Sequence, residues 1–176
     1  AYRPYFAPEQ LFSARILTGF SKPEPHVSRI SVHASPLALG NLKKTDVSCL
    51  APLAELLTEG GLPAEVTEDV EAALWAKMLY NCSLNPLGAI LRVSYGELMD
   101  SEHARRILDR VLEEIFATME AAGYHTLWPN VEAYREEFYG KLVPETRSHR
   151  SSTYQDLEAR RRTEIDTLNG SVVQLA

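Results

Sequence analysis

Lys77, Asn81 and Asn85 follow one another at four-residue steps inside a segment that is otherwise almost wholly apolar. At about 100° per residue, such steps place all three side chains within roughly 80° of one another on a helix. A solvated helix face is broad and rich in Glu and Lys. This stripe is narrow, with Leu74, Met78 and Leu84 within or beside it. A lysine so placed points into a polar cleft or loses its hydration. Desolvation lowers an ammonium pKa toward the range in which it gives up a proton, which is what a general acid must do. The other explanation is a lysine whose stem covers apolar surface above two asparagines that hydrogen-bond loops. Residue types alone leave both open.

A second polar group occupies residues 151–166. Ser152 with Gln155, and Thr163 with Asp166, each match a capping box, so both read as helix starts. Glu164 is then a first-turn acid near a helix dipole, and Arg160, Arg161 and Arg162 form a solvated face. Capping accounts for this group without catalysis. It leaves unexplained Asn169-Gly170, a poor choice inside a helix. His26, His33, His103, His125 and His149 are scattered, with no pair at metal-ligand spacing, so no metal is expected. The sequence contains no Gly-x-Ser-x-Gly elbow, Walker loop or Gly-x-Gly-x-x-Gly, so the chain alone is not expected to hold a nucleotide.

The elements that must position these groups change character along the chain. Five of the ten prolines fall within residues 1–36, where short strands are expected over 14–20, 27–33 and 37–40, with Pro23 and Pro25 in the first link. Three short strands are too few for a sheet of any depth, so they read as the end of a sheet begun elsewhere. From Asp46 the period is helical. Leu50, Leu53, Ala54 and Leu57 mark one helix, stopped by Gly60-Gly61. A second covers 69–90, with a bend expected at Pro86. The third, over 100–122, carries a stripe of Ile107, Leu108, Val111, Leu112, Ile115 and Met119 and stops at Gly123. Shorter helices are expected over 129–139, 152–162 and 163–175.

Composition bounds the function. The 176 residues carry 18 basic and 24 acidic side chains, a net charge of −6, which disfavours nucleic acid and anionic membranes as partners. Hydrophobic residues at 45% and charged ones at 24% are near globular averages, so a folded core is expected. Cys49 and Cys82 lie in apolar helical stretches and read as two buried thiols. The uncharged run over 78–91 is too short to span a bilayer. With no signal-like start, a cytoplasmic location is expected. Because residue 1 is Ala and the opening lacks capping character, the sequence reads as a fragment.

Two separated motifs, in order and at matching spacing, resemble those of the ketopantoate reductase (2-dehydropantoate 2-reductase) family. They are Trp75-x-Lys77-x-x-x-Asn81-Cys82-x-x-Asn85-Pro86-Leu87 and Ser152-x-x-Gln155-Asp156, the latter followed by Arg162-Thr163-Glu164-Ile165-Asp166-x-x-Asn169-Gly170. Thr18-Gly19, Ile30-x-Val32-His33 and Leu39-Gly40 resemble the last strands of that family's dinucleotide-binding domain. The resemblance implies a mainly α chain. Residues 1–45 would end an NADPH-binding domain, and residues 46–176 would form a helical substrate domain of the 6-phosphogluconate dehydrogenase C-terminal-like type. It further implies NADPH-dependent reduction of a 2-oxo acid, ketopantoate, to its hydroxy acid on the route to pantothenate. Lys77 would be the general acid, and Glu164 would anchor the substrate hydroxyl and help keep Lys77 protonated. Asn81, Asn85, Ser152 and Tyr95 would bind substrate. Tyr95 stands where many members have a substrate-contacting Asn, which motivates an alternative: a same-family reductase for another 2-oxo acid. A second alternative is a helical module, inactive by itself, that forms a homodimer through the 100–122 helix.

Overall fold

Strands give way to helices along the chain in the computed structural model, which describes residues 4–33 and 35–176. Ala1 and the side chains of Val32 and His33, on which part of the sequence reading rests, lie outside what is described. The chain divides into two units, Ala1–Leu74 and Trp75–Ala176.

The first unit contains β1 (Phe12–Arg15), β2 (Thr18–Glu24), β3 (Val27–His33), β4 (Leu37–Asn41), α1 (Ala51–Glu59) and β5 (Ala64–Val66). β4 is the central strand of one sheet, antiparallel to β1 and parallel to β5. β2 and β3 form a separate antiparallel ribbon. The single strand expected over 14–20 is therefore two strands in two sheets. Nothing between Arg15 and Thr18 signals a turn, so only pairing reveals the break. Pro23 lies inside β2, not in the link. A two-stranded ribbon has free edges, and the register shifts between Ser21 and Glu24, both of which tolerate a missing N–H. All of β4 is buried, as its near-continuous apolar run requires of a strand covered on both faces. A Cβ at Gly40 would come within 2.6 Å of the Thr67 carbonyl and 2.7 Å of Val70 Cβ, so glycine admits the next helix, α2 (Val70–Leu91), against the strand.

α1 meets its core through Ala54 and the preceding Leu50, while Leu53, expected in the stripe, is exposed. Cys49 is exposed as well, and only Cys82 is a buried thiol; both are free. Cys49 belongs to a short 3-10 turn that turns Leu50 inward and its neighbour outward. The helical period does not foresee β5, whose three residues are too few to show one.

The second unit continues with α3 (Tyr95–Asp100), α4 (Glu102–Ala121), α5 (Val131–Glu137), a π turn (Phe138–Leu142), α6 (Val143–Glu145), α7 (Ser152–Glu158) and α8 (Asn169–Leu175). Its core joins Leu79 and Leu84 of α2 to Leu98, Leu108, Leu112, Tyr134, Phe138 and Val143. α4 buries Leu108, Leu112, Ile115, Phe116 and Met119 at helical spacing. Ile107, expected in that stripe, is exposed and Phe116 is inside, a rotation of the buried face by about one position. Gly123 closes α4 at φ +78°, with Gly123 N–H donating to the Glu120 carbonyl and Tyr124 N–H to that of Met119. Among the described residues, no helix is long and apolar enough to cross a membrane, and no cluster of His, Cys, Asp and Glu could hold a metal.

Candidate active site

α2 begins where Asp69 Oδ1 accepts the Ala72 N–H at 3.2 Å. From there its sequence is apolar enough to be packed on most sides, with Leu79, Cys82 and Leu84 in the core. The Lys77, Asn81, Asn85 stripe runs along it over two turns, about 12 Å. Lys77 and Asn81 are half-buried. Asn85 is 3% exposed, so the stripe closes toward that end.

What closes it is Tyr95, at the start of α3. Its hydroxyl donates to Asn85 Oδ1 at 2.7 Å, and its own N–H donates to the His149 carbonyl at 3.0 Å. The phenol ring lies 5.2 Å from that of His149 and 5.7 Å, edge-on, from that of Tyr80. Burial pushes the Tyr95 hydroxyl far above its ordinary pKa and that of Tyr80 up to about 12. The same desolvation lowers His149. All three are thus held in their neutral forms near pH 7, and Tyr95 is a fixed donor. Its bond occupies the amide oxygen of Asn85 and leaves the NH2 end as what that residue can offer a ligand.

The backbone carbonyl of Asn85 accepts from Ser151 Oγ at 3.3 Å. Ser151 is fully buried and caps α7, accepting the Tyr154 N–H at 3.0 Å. The cap was expected one residue later, at Ser152. Ser152 is instead the first helical residue, with an exposed side chain, and Gln155 reaches the Arg150 carbonyl at 3.1 Å. The helix expected from Thr163 starts only at Asn169. Residues 164–168 are turns in which the Glu164 carbonyl accepts the N–H groups of Thr167 and Leu168. Asp166 pairs with Arg162 at 2.9 Å rather than boxing with Thr163. Glu164 is exposed at the head of this turn.

The structure therefore joins Asn85 to Tyr95 and to Ser151 at the start of α7, with the exposed Ser152 next in sequence. Lys77 and Asn81 share the helix with Asn85, and Glu164 stands on the turn leading into α8. Ser151 and Asn169, neither of them singled out for the site by the sequence, reach backbone carbonyls of the stripe helix: Ser151 that of Asn85, and Asn169, whose Nδ2 donates to the Cys82 carbonyl at 3.0 Å. Pro86 held the signal for the second. Lacking an N–H, it leaves the carbonyl four residues earlier, that of Cys82, without its helical donor. A cavity of about 400 Å³ lies elsewhere in this unit, lined by Ser94, Gly96, Glu97, Asp100, Glu145 and Arg147 among others, and none of the candidate residues faces it.

A family model described as the C-terminal part of ketopantoate reductase PanE/ApbA matches residues 69–176, which include every residue of this site. The chain belongs to this family. The 2-dehydropantoate 2-reductase of Aquifex aeolicus is 37% identical over 163 residues, covering 92% of this chain and 52% of that protein. The chain spans about half the length of the curated relatives it matches. A PanE/ApbA family ketopantoate reductase from Ralstonia eutropha superimposes with a TM-score of 0.77 at 30% identity, over 93% of this chain and 51% of that one. D-mandelate dehydrogenase, solved with NADH and anilino(oxo)acetate, shares the fold, with a TM-score of 0.81 at 24% identity over 98% of this chain and 55% of that one.

Proposed function

We propose that this chain supplies the substrate-binding and acid-catalysis residues of an NADPH-dependent 2-dehydropantoate 2-reductase, which reduces ketopantoate to pantoate in pantothenate biosynthesis. The observation that carries the reading is the Lys77, Asn81, Asn85 stripe, half-open at the lysine and closed at Asn85 by Tyr95. In this reading residues 1–45 end a dinucleotide-binding domain and residues 46–176 form the substrate domain, in a cytoplasmic enzyme.

The described residues do not fit a dinucleotide. They hold no glycine-rich phosphate loop, and the space above Gly40 is filled by Thr67 and Val70. NADPH would be held by the part of the relatives' length that this chain does not span. What this chain's own residues do is orient the substrate and move a proton. Reducing the C2 ketone places negative charge on its oxygen. The Lys77 ammonium would donate a hydrogen bond to that oxygen and then transfer its proton, leaving a neutral amine and a hydroxyl. Asn81 and Asn85 would orient the oxo acid with their amide groups, and the Ser152 hydroxyl would bind its carboxylate. Glu164 would accept from the substrate hydroxyl, and its charge would favour protonated Lys77.

Tyr95 favours a second reading within the family, a reductase for another 2-oxo acid. Where many members have an Asn, a larger ring is buried here with its hydroxyl committed to Asn85. The test is NADPH oxidation by the complete gene product with ketopantoate and a panel of other 2-oxo acids. Preferred turnover of ketopantoate is the expected result. Preference for another oxo acid, with ketopantoate use gained by Tyr95→Asn, would favour the second reading. Turnover of none would overturn both.

A further inference from the structure

Asn169-Gly170 is the motif that capping left unexplained, and the bond from Asn169 to α2 gives it a task. Pro86 removes one rung from the hydrogen-bond ladder of α2, and the carbonyl so deprived belongs to Cys82, next in sequence to Asn81. Asn169 Nδ2 fills that gap at 3.0 Å. The other end of the same amide, Oδ1, is buried and has no hydrogen-bond partner among the described residues. A side chain selected for packing alone would not leave a buried acceptor unmet. Asn169 is thus present for its donor, at one carbonyl.

That carbonyl lies on the stripe helix, and the donor lies at the end of the turn that carries Glu164. The turn is rigidly knit: the Glu164 carbonyl accepts from Leu168 N–H at 2.9 Å, and Gly170 N–H donates to the Ile165 carbonyl at 2.9 Å. Leu168 and Val172 pack on the helical core around it. We propose that Asn169 is a positioning residue, a latch that uses the proline-vacated carbonyl of Cys82 to fix the Glu164 turn against the helix bearing Lys77 and Asn81. This rests on the reading of Glu164 as a substrate-anchoring acid. Pro86, on this account, creates the docking point for the latch.

The test uses the complete gene product with NADPH and ketopantoate, in the variants Asn169→Ala, Glu164→Gln, both together, Pro86→Ala, and Pro86→Ala with Asn169→Ala. Misplacing a reacting group by an ångström costs up to about 10²-fold, so Asn169→Ala is expected to lower kcat/KM by as much as that. Adding Glu164→Gln to it should cost far less than Glu164→Gln costs alone, because both act through one group. Pro86→Ala restores an N–H for the Cys82 carbonyl. With both substitutions the melting temperature should return close to that of the native protein while kcat/KM stays as low as in Asn169→Ala, and this pair also serves if Asn169→Ala alone does not fold. Restoration of turnover by Pro86→Ala along with the melting temperature would overturn the proposal, since the bond would then only complete a helix. Wild-type kcat/KM in Asn169→Ala beside an impaired Glu164→Gln would overturn it alone. A Glu164→Gln enzyme with wild-type kinetics would overturn the reading of Glu164 and the latch together.

Discussion

The rings of Tyr95 and His149 meet at a tilt of 57° in the helical unit, and burial disfavours the charged form of each. For His149 this makes a statement about stability. Its folded pKa is lowered from 6.5, so below that pH the unfolded chain takes up the proton first. The contribution is fully present above 6.5 and is lost as pH falls toward the folded value. The melting temperature is expected to decline between pH 7 and pH 5 more steeply in the native protein than in His149→Gln; equal slopes would contradict this. At this scale Lys77, Asn81 and Asn85 were legible because a four-residue step is a property of the sequence itself. The burial of Tyr95 was not, because it depends on His149 and Tyr80, brought in by the fold from other segments. Ser151 and Ser152 illustrate the same limit: adjacent serines are equal candidates for a cap, and only the carbonyl of Asn85 chooses between them.

Among the elements, α3 shows how a short helix is held in place. Ser94 and Glu97 form a capping box that stands in the sequence, although the six-residue helix it opens is too short for its period to be seen. Gly96, in its first turn, donates its N–H to the Arg147 carbonyl at 2.8 Å. Arg147 in turn grips both carboxylate oxygens of Asp100, at 2.7 and 2.6 Å. A Cβ at Gly96 would overlap the Arg147 side chain and approach its carbonyl to 2.9 Å. Gly96→Ala is therefore expected to destabilise the fold by about 1–3 kcal/mol, an overpacking cost with backbone on the receiving side. Denaturant unfolding checks it, and a midpoint equal to that of the native protein would contradict it. The long helices α2 and α4 were legible within a residue or two, since twenty or more periodic positions outweigh local ambiguity. α8 was not. It starts at Asn169 instead of Thr163, and Asn169 bonds to Cys82 of α2, a partner that no residue near Thr163 announces.

For the whole molecule, the family match over residues 69–176 takes in the whole of the second structural unit, Trp75–Ala176. Every residue proposed to touch substrate belongs to Trp75–Ala176. The apolar stripe of α4 packs into the core of this unit, and Ile107 on the same helix is exposed. The chain spans about half the length of its relatives, and the step proposed for it is proton delivery by Lys77. The direct measurement is steady-state turnover of ketopantoate and NADPH by the complete gene product carrying Lys77→Ala. Loss of a general acid is expected to lower kcat by about 10²–10⁴-fold while the protein still melts as a folded one. Turnover at the native rate would contradict the account.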